Sequence, residues 1–196
     1  MCAAVDVADR EGLGALTMRR LGTELGVEAM SLYKHVANKD AILDGVVEVI
    51  AGQIETPDVT DWKDAMRRRA VSARAVFASH SWAIGLLEAR GSMGPATMRS
   101  LDVMLGVLRS GGFAIDDAAH AIWMLDSFVY GHVIQEASLA AQSAAQLPAG
   151  EDHPNLEALL VRARASEFSV DAEFDYGLER ILAALELPRR RSRLTP

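Results

Sequence analysis

The chain has 196 residues, 50% of them hydrophobic and 24% charged, with a net charge of −7 and a single cysteine. These proportions exclude a disordered chain, and the lone thiol, Cys2, excludes an internal disulfide and fits a reducing cytosol. No apolar run approaches the ~20 residues of a membrane-spanning helix, and no secretory leader pattern opens the chain, so a cytoplasmic location without a membrane partner is expected.

Helical periodicity runs through nearly every segment, and sustained apolar–polar alternation is absent. The first helix is expected over about Ala3–Glu11, ended by Gly12. Thr17 is a fitting N-cap for a second helix, Met18–Leu25, which Gly26 stops. A short third helix follows at about Glu28–His35. Asn38 then caps a fourth, in which Ile42, Leu43, Val46 and Ile50 share one face. Thr56–Asp61, containing Pro57, reads as a boundary loop. Trp62, Met66, Ala70, Ala73 and Phe77 mark one side of a fifth helix. A short piece at about Trp82–Ala89 precedes the breaker Gly91–Pro95. Met98, Leu101, Met104, Leu105 and Leu108 form a stripe stopped by Gly111 and Gly112. A long helix, from Asp116 to about Gln142, is apolar almost all round and must be covered on both sides, by its own domain and by a partner subunit. Ser143–Asn155 reads as a polar loop. A last helix, about Asp171–Leu187, carries Phe174, Leu178, Ile181, Leu182 and Leu185 on one face, with Gly177 permitting close approach; Pro188 stops it before an arginine-rich tail.

The expected architecture is therefore all-α. A bundle of three to four helices at residues 1–55 precedes a larger helical domain at 56–196.

Thr17–Val36 has the parts of a helix-turn-helix, in which a second short helix enters the major groove. Leu21 and Leu25 give the second helix an inner face, Gly26 supplies the turn, and Val27, Leu32 and Val36 anchor the third helix from beneath. Glu28, Ala29, Met30, Tyr33 and Lys34 then face outward. The acidic total does not bar nucleic acid, because charge distribution matters more than the sum. Residues 17–39 hold Arg19, Arg20, Lys34 and Lys39 against Glu24 and Glu28. The start of the fourth helix, with Lys39 beside it, is suited to a phosphate.

Thr17 at the helix start, Leu25-Gly26-Val27 at the turn, Ser31-Leu32-Tyr33-Lys34-His35-Val36 and Asn38-Lys39-Asp40-Ala41-Ile42-Leu43 together resemble the DNA-binding domain of the tetracycline-repressor (TetR) family. Trp62 to Leu187 resembles that family's helical regulatory domain. The resemblance implies a DNA-binding transcription regulator, a repressor released from its operator by a small-molecule inducer. It implies phosphate contacts by Thr17, Arg19, Tyr33, His35 and Lys39, and base-edge contacts by Ala29, Met30, Ser31 and Lys34, with Arg19 a guanine reader. Ala29 and Met30 have no side-chain hydrogen-bonding groups, so readout there rests on apolar contact with thymine methyls. A homodimer through about 116–142 and 171–187 would bind a near-palindromic double-stranded operator. Where the family has a basic arm, Met1 and Cys2 stand almost at the first helix. Either an arm precedes them or affinity is lowered.

The resemblance also implies a ligand cavity, with Met66, Phe77, Trp82, Met98, Met104, Trp123, Phe128, His132 and Gln135 as candidate walls. For any single one, ordinary core is the commoner role. Eight methionines in the chain favour an adaptable apolar pocket. The tetracycline repressor holds a magnesium–drug chelate with a histidine and a carboxylate. Here residues 86–91 contain no histidine, and Gln135 stands in the carboxylate's place beside Glu136. The inducer is thus unknown, and no metal or cofactor is expected.

Two rival readings come from other classes. His120, Asp126, His132 and Glu136 lie along one helix but lack metal-ligand spacing, and there is no phosphate loop or nucleophile elbow, so an enzyme is not expected. The other rival is a helical dimeric module that binds a small molecule or protein without specific DNA binding.

Overall fold

The structure is a computed structural model that describes residues 1–57, 61–90, 93–141, 153–164 and 169–186. It is all-helical among the described residues. Helices α1 (Cys2–Glu11), α2 (Met18–Leu25), α3 (Ala29–Leu32) and α4 (Lys39–Ala51) form the N-terminal part, with a 3₁₀ turn at Leu13–Ala15. Then come α5 (Trp62–Ser79), α6 (Ala83–Arg90), α7 (Pro95–Ser110), α8 (Ile115–Ala141), α9 (Pro154–Arg164) and α10 (Val170–Leu185). The stop at Pro188, the arginine-rich tail and most of the 143–155 loop lie outside the described residues.

Helix starts are fixed by side-chain caps that occupy otherwise orphaned backbone N–H groups. Thr17 Oγ1 accepts from Arg20 N at 3.1 Å, and Asn38 Oδ1 accepts from Ala41 N at 2.9 Å. Asp61 Oδ1 accepts from Lys63 N at 2.8 Å and from Asp64 N at 3.2 Å, which starts α5 directly after the boundary loop. Gly26 ends α2 with φ +67°, the left-handed conformation that glycine adopts at least cost.

Helix α8 is 27 residues long and packs against α5, α7 and α10. Ala118, Ala121, Ile122, Leu125, Val129 and Val133 are buried on its inner side. Phe77 meets Tyr130 edge-on at 5.2 Å, and Phe128 stacks on Phe174 at 5.4 Å. Gly177 lets α10 approach: a Cβ there would lie 2.6 Å from the Phe128 ring. Among the described residues one apolar core runs from Val7, Leu16 and Ile50 through Met66, Phe77 and Met104 to Leu125 and Leu182.

Three expectations differ from what is observed. Helix α3 is only Ala29–Leu32, and residues 33–36 continue it as turns, with His35 N donating to Leu32 O at 2.9 Å. Leu25 and Val27, expected inside, are 52% and 45% exposed. They flank the turn itself, where the chain reverses over Gly22 instead. Helix α9 was not anticipated; of its apolar residues, Leu156, Leu159 and Val161 are exposed.

Candidate nucleic-acid interface and regulatory core

The helix-turn-helix is held by backbone contact at a glycine. A Cβ on Gly22 would stand 2.8 Å from Val27 O and 3.1 Å from Ala29 N, so α2 and α3 meet with no side chain between them. Leu21 is buried, while Leu32 and Val36 pack partly buried against the core. With its inner side seated this way, α3 turns Met30 outward at 74% exposure; Tyr33, Lys34 and His35 are also exposed, and Ala29 and Ser31 are half-buried. Thr17, Arg19 and Lys39 are exposed on the neighbouring helix starts.

The charges around this surface are of two kinds. Arg20 is tied down: its Nε donates to Glu11 Oε1 at 3.0 Å, and its Nη2 lies 2.6 Å from Glu11 Oε1 and 2.8 Å from Glu24 Oε2. The hydrogen bonds to Arg20 and Arg10 hold the Glu11 and Glu24 carboxyls below their ordinary range. Arg19, Lys34, His35 and Lys39, by contrast, have no carboxylate partner among the described residues. A phosphate can meet these four side chains without first displacing an acid.

The nine candidate pocket residues fall into three groups. Met66, Phe77 and Met104 are fully buried in the core. Trp82, Phe128 and His132 are half-buried. Met98, Trp123 and Gln135 lie on the surface of the chain, Trp123 at 77% exposure. Trp123 sits two residues from buried Ala121 and from buried Leu125, about 200° round the helix from each. A helix apolar almost all round gives little clue in sequence to which side is inner. His132 packs edge-on against Phe174 at 5.1 Å, and its Nε2 is buried without a hydrogen-bond partner. Burial, followed by the nearby Arg74 charge, holds its pKa below the ordinary imidazole value.

Two acidic residues of α8 are taken up by α5. Asp126 receives Arg69, and Glu136 receives Arg74 through Nε at 3.1 Å and Nη2 at 3.0 Å. Arg74 also reaches Asp171 at 2.6 Å and lies over the Phe174 ring. Burial beside Asp126 raises the Tyr130 pKa. No three His, Cys, Asp or Glu side chains converge as a metal site among the described residues.

Sequence reasoning missed the polar seam between the N-terminal helices and α6–α7. Asp9 accepts from Trp82 Nε1 at 2.8 Å and pairs with His80 Nδ1 at 2.7 Å. Glu48 caps α7, accepting from Ala96 N at 2.5 Å and Thr97 Oγ1 at 3.0 Å. Arg90 reaches Asp40 and Asp44. These partners lie 46 to 73 positions apart, with no local pattern to mark them. Along the same seam, a surface groove of about 290 Å³ between α4 and α7 is lined by Ala51, Ile54, Ala96, Arg99, Ser100 and Val103, none of them a candidate pocket residue.

Residues 1–46 match the family model "Bacterial regulatory proteins, tetR family", and residues 56–188 match "Tetracyclin repressor-like, C-terminal domain". The chain is 33% identical over 204 residues to the HTH-type transcriptional repressor DrrR1 of Streptomyces coeruleorubidus, covering 94% of this chain and 75% of that one. It is 31% identical over 195 residues to the class A tetracycline repressor protein from transposon 1721 of Escherichia coli, covering 93% and 87%. Among solved structures, apo ActR from Streptomyces coelicolor superimposes with a TM-score of 0.78 at 31% identity, covering 94% and 91%. ActR in complex with actinorhodin gives 0.75 at 30%, covering 94% and 93%.

Proposed function

Since this chain belongs to the TetR family of bacterial regulatory proteins, and is thus a DNA-binding transcriptional regulator and not an enzyme, we propose how its residues divide the work of repression and release. Thr17, Arg19, Tyr33, His35 and Lys39 grip operator phosphates and set register. Ala29, Met30, Ser31 and Lys34 meet base edges, with Arg19 within the same surface as a guanine reader. The observation that carries this reading is that Arg19, Lys34, His35 and Lys39 stand without carboxylate partners among the described residues of a chain of net charge −7. A non-DNA helical module has no use for that arrangement.

We assign residues 1–55 to DNA binding and 56–196 to ligand binding and dimerisation. A second copy covers the outer side of α8 and α10, where Trp123, Ile134, Leu139 and Tyr176 are 56–77% exposed. Removing such area from water favours association. The twofold axis then sets two α3 segments about one DNA turn apart on a near-palindromic operator.

Release is assigned to a small-molecule inducer in the regulatory half, entering beside Trp82, Phe128 and His132 against the buried Met66, Phe77 and Met104. ActR's complexes with actinorhodin and (S)-DNPA support ligand-responsiveness for this chain too. Arg74 occupies both oxygens of Glu136, which argues against a magnesium-chelated drug as the inducer. No helix among the described residues is long and apolar enough to cross a membrane, and we place the protein in the cytoplasm with its DNA.

Selection from a random duplex pool tests the reading. Enrichment of one near-palindrome, with binding that weakens as salt rises, is expected; no sequence preference at low salt overturns it and favours the non-DNA module.

A further inference from the structure

Arg90 is the last residue of α6, in the regulatory half, yet its guanidinium is spent on the start of α4. Nη2 donates to the backbone carbonyl of Asp40 at 3.1 Å, Nη1 donates to the Asp40 carboxylate at 3.3 Å, and Nε donates to Asp44 Oδ1. The Arg90 side chain is 18% exposed, whereas that of Asp40 is 73% exposed. Asp40 directly follows Lys39, in the turn capped by Asn38. An acid at that position opposes the anion that the same turn is suited to hold, since charges within a Debye length of ~8 Å still repel at physiological salt. Arg90 is the cation that answers it.

We propose that Arg90 is a positioning residue for operator binding: from the regulatory half it pins the first turn of α4 and neutralises Asp40 and Asp44 beside the phosphate grip. The inference rests on the DNA-binding reading of α4 and adds to it a contributor that never touches DNA. Any rearrangement that withdraws the end of α6 takes the Arg90 charge away from Asp40 beside the phosphate grip, so the seam couples the two halves through charge.

The test is a set of anisotropy titrations on the selected operator, at about 50 mM and about 300 mM salt. Arg90→Ala weakens binding roughly tenfold at the lower salt, and the gap narrows at the higher one. Asp40→Asn in the otherwise native chain strengthens binding about threefold, because Arg90 then adds net positive charge. Arg90→Ala combined with Asp40→Asn and Asp44→Asn recovers the salt-dependent part of the loss, leaving only the part that comes from pinning the turn. A purely mechanical latch predicts the opposite for Asp40→Asn, so weakening by that exposed substitution overturns the proposal even if Arg90→Ala fails to fold. A loss with Arg90→Ala that salt does not alter overturns it as well. Failure of the native chain to select any operator overturns the regulator reading itself and is seen before any variant is made.

Discussion

Basic side chains play opposite parts in the two halves of this molecule. Along α5, Lys63, Arg67, Arg68, Arg69 and Arg74 are each matched to a carboxylate: Glu186, Glu179, Glu55, Asp126 and Glu136. Around α2, α3 and the start of α4, Arg19, Lys34, His35 and Lys39 have no such match among the described residues, while Arg20, one residue along, has two. The first set spends its charge inside the chain and fixes how α5, α8 and α10 sit. In the second set Arg19, Lys34 and Lys39 keep their charge available. Residue type alone does not separate them; partnership does, and partnership is a tertiary property.

That contrast can be broken in order of expected effect. Phe77→Ala removes a fully buried ring from the regulatory half and is expected to cost about 3–5 kcal/mol of stability. Chemical denaturation measures this, and a cost below about 1 kcal/mol would show that the site is roomy enough to be a preformed cavity wall. Arg74→Ala strands the part-buried Glu136 carboxylate and removes the guanidinium over Phe174, for an expected cost of about 1–3 kcal/mol. Lys39→Ala should do the reverse. Stability stays within about 0.5 kcal/mol, affinity falls alike for all sequences, and the salt slope drops by about one per subunit. If Lys39→Ala destabilises the fold as Arg74→Ala does, the distinction between the halves fails.

The smallest effect is a pH dependence. Burial first, and then the Arg74 charge, hold the His132 pKa below its ordinary value, about 6.5 in an unfolded chain. The unfolded chain therefore takes the proton first. His132's contribution is complete above that pH and is lost as pH falls below it, with a slope of at most ~1.4 kcal/mol per pH unit. His132→Phe should flatten that part of the stability profile; an unchanged profile assigns the acid sensitivity elsewhere.

Much of this was legible from the sequence, because its determinants are local. Thr17 and Asn38 bond to N–H groups three residues on, Gly26 answers a left-handed φ, and apolar spacing draws helices whose inner residues Met66, Ala70, Ala73, Phe77, Met104 and Leu108 are buried as expected, although Met98 of the same stripe is exposed. Position along the chain was enough for the helix-turn-helix and for the residues that project from it. Other features were not legible. Gly22 carries the α2–α3 contact through an absent side chain, which no hydrophobic pattern records. Leu25 and Val27 have the composition of core residues but lie at the turn, and Trp123 belongs to a helix apolar almost all round, whose inner side is chosen by α5, α7 and α10. The sequence by itself thus determined the element order, the caps and the exposure of Met30, Tyr33 and Lys34 beyond the turn, since each depends on neighbours within a few positions. Tertiary packing alone decided which arginines are free, which aromatic residues are interior, and that Arg90 stands over Asp40. Those outcomes depend on side chains distant along the chain, brought together only when the helices close on one core.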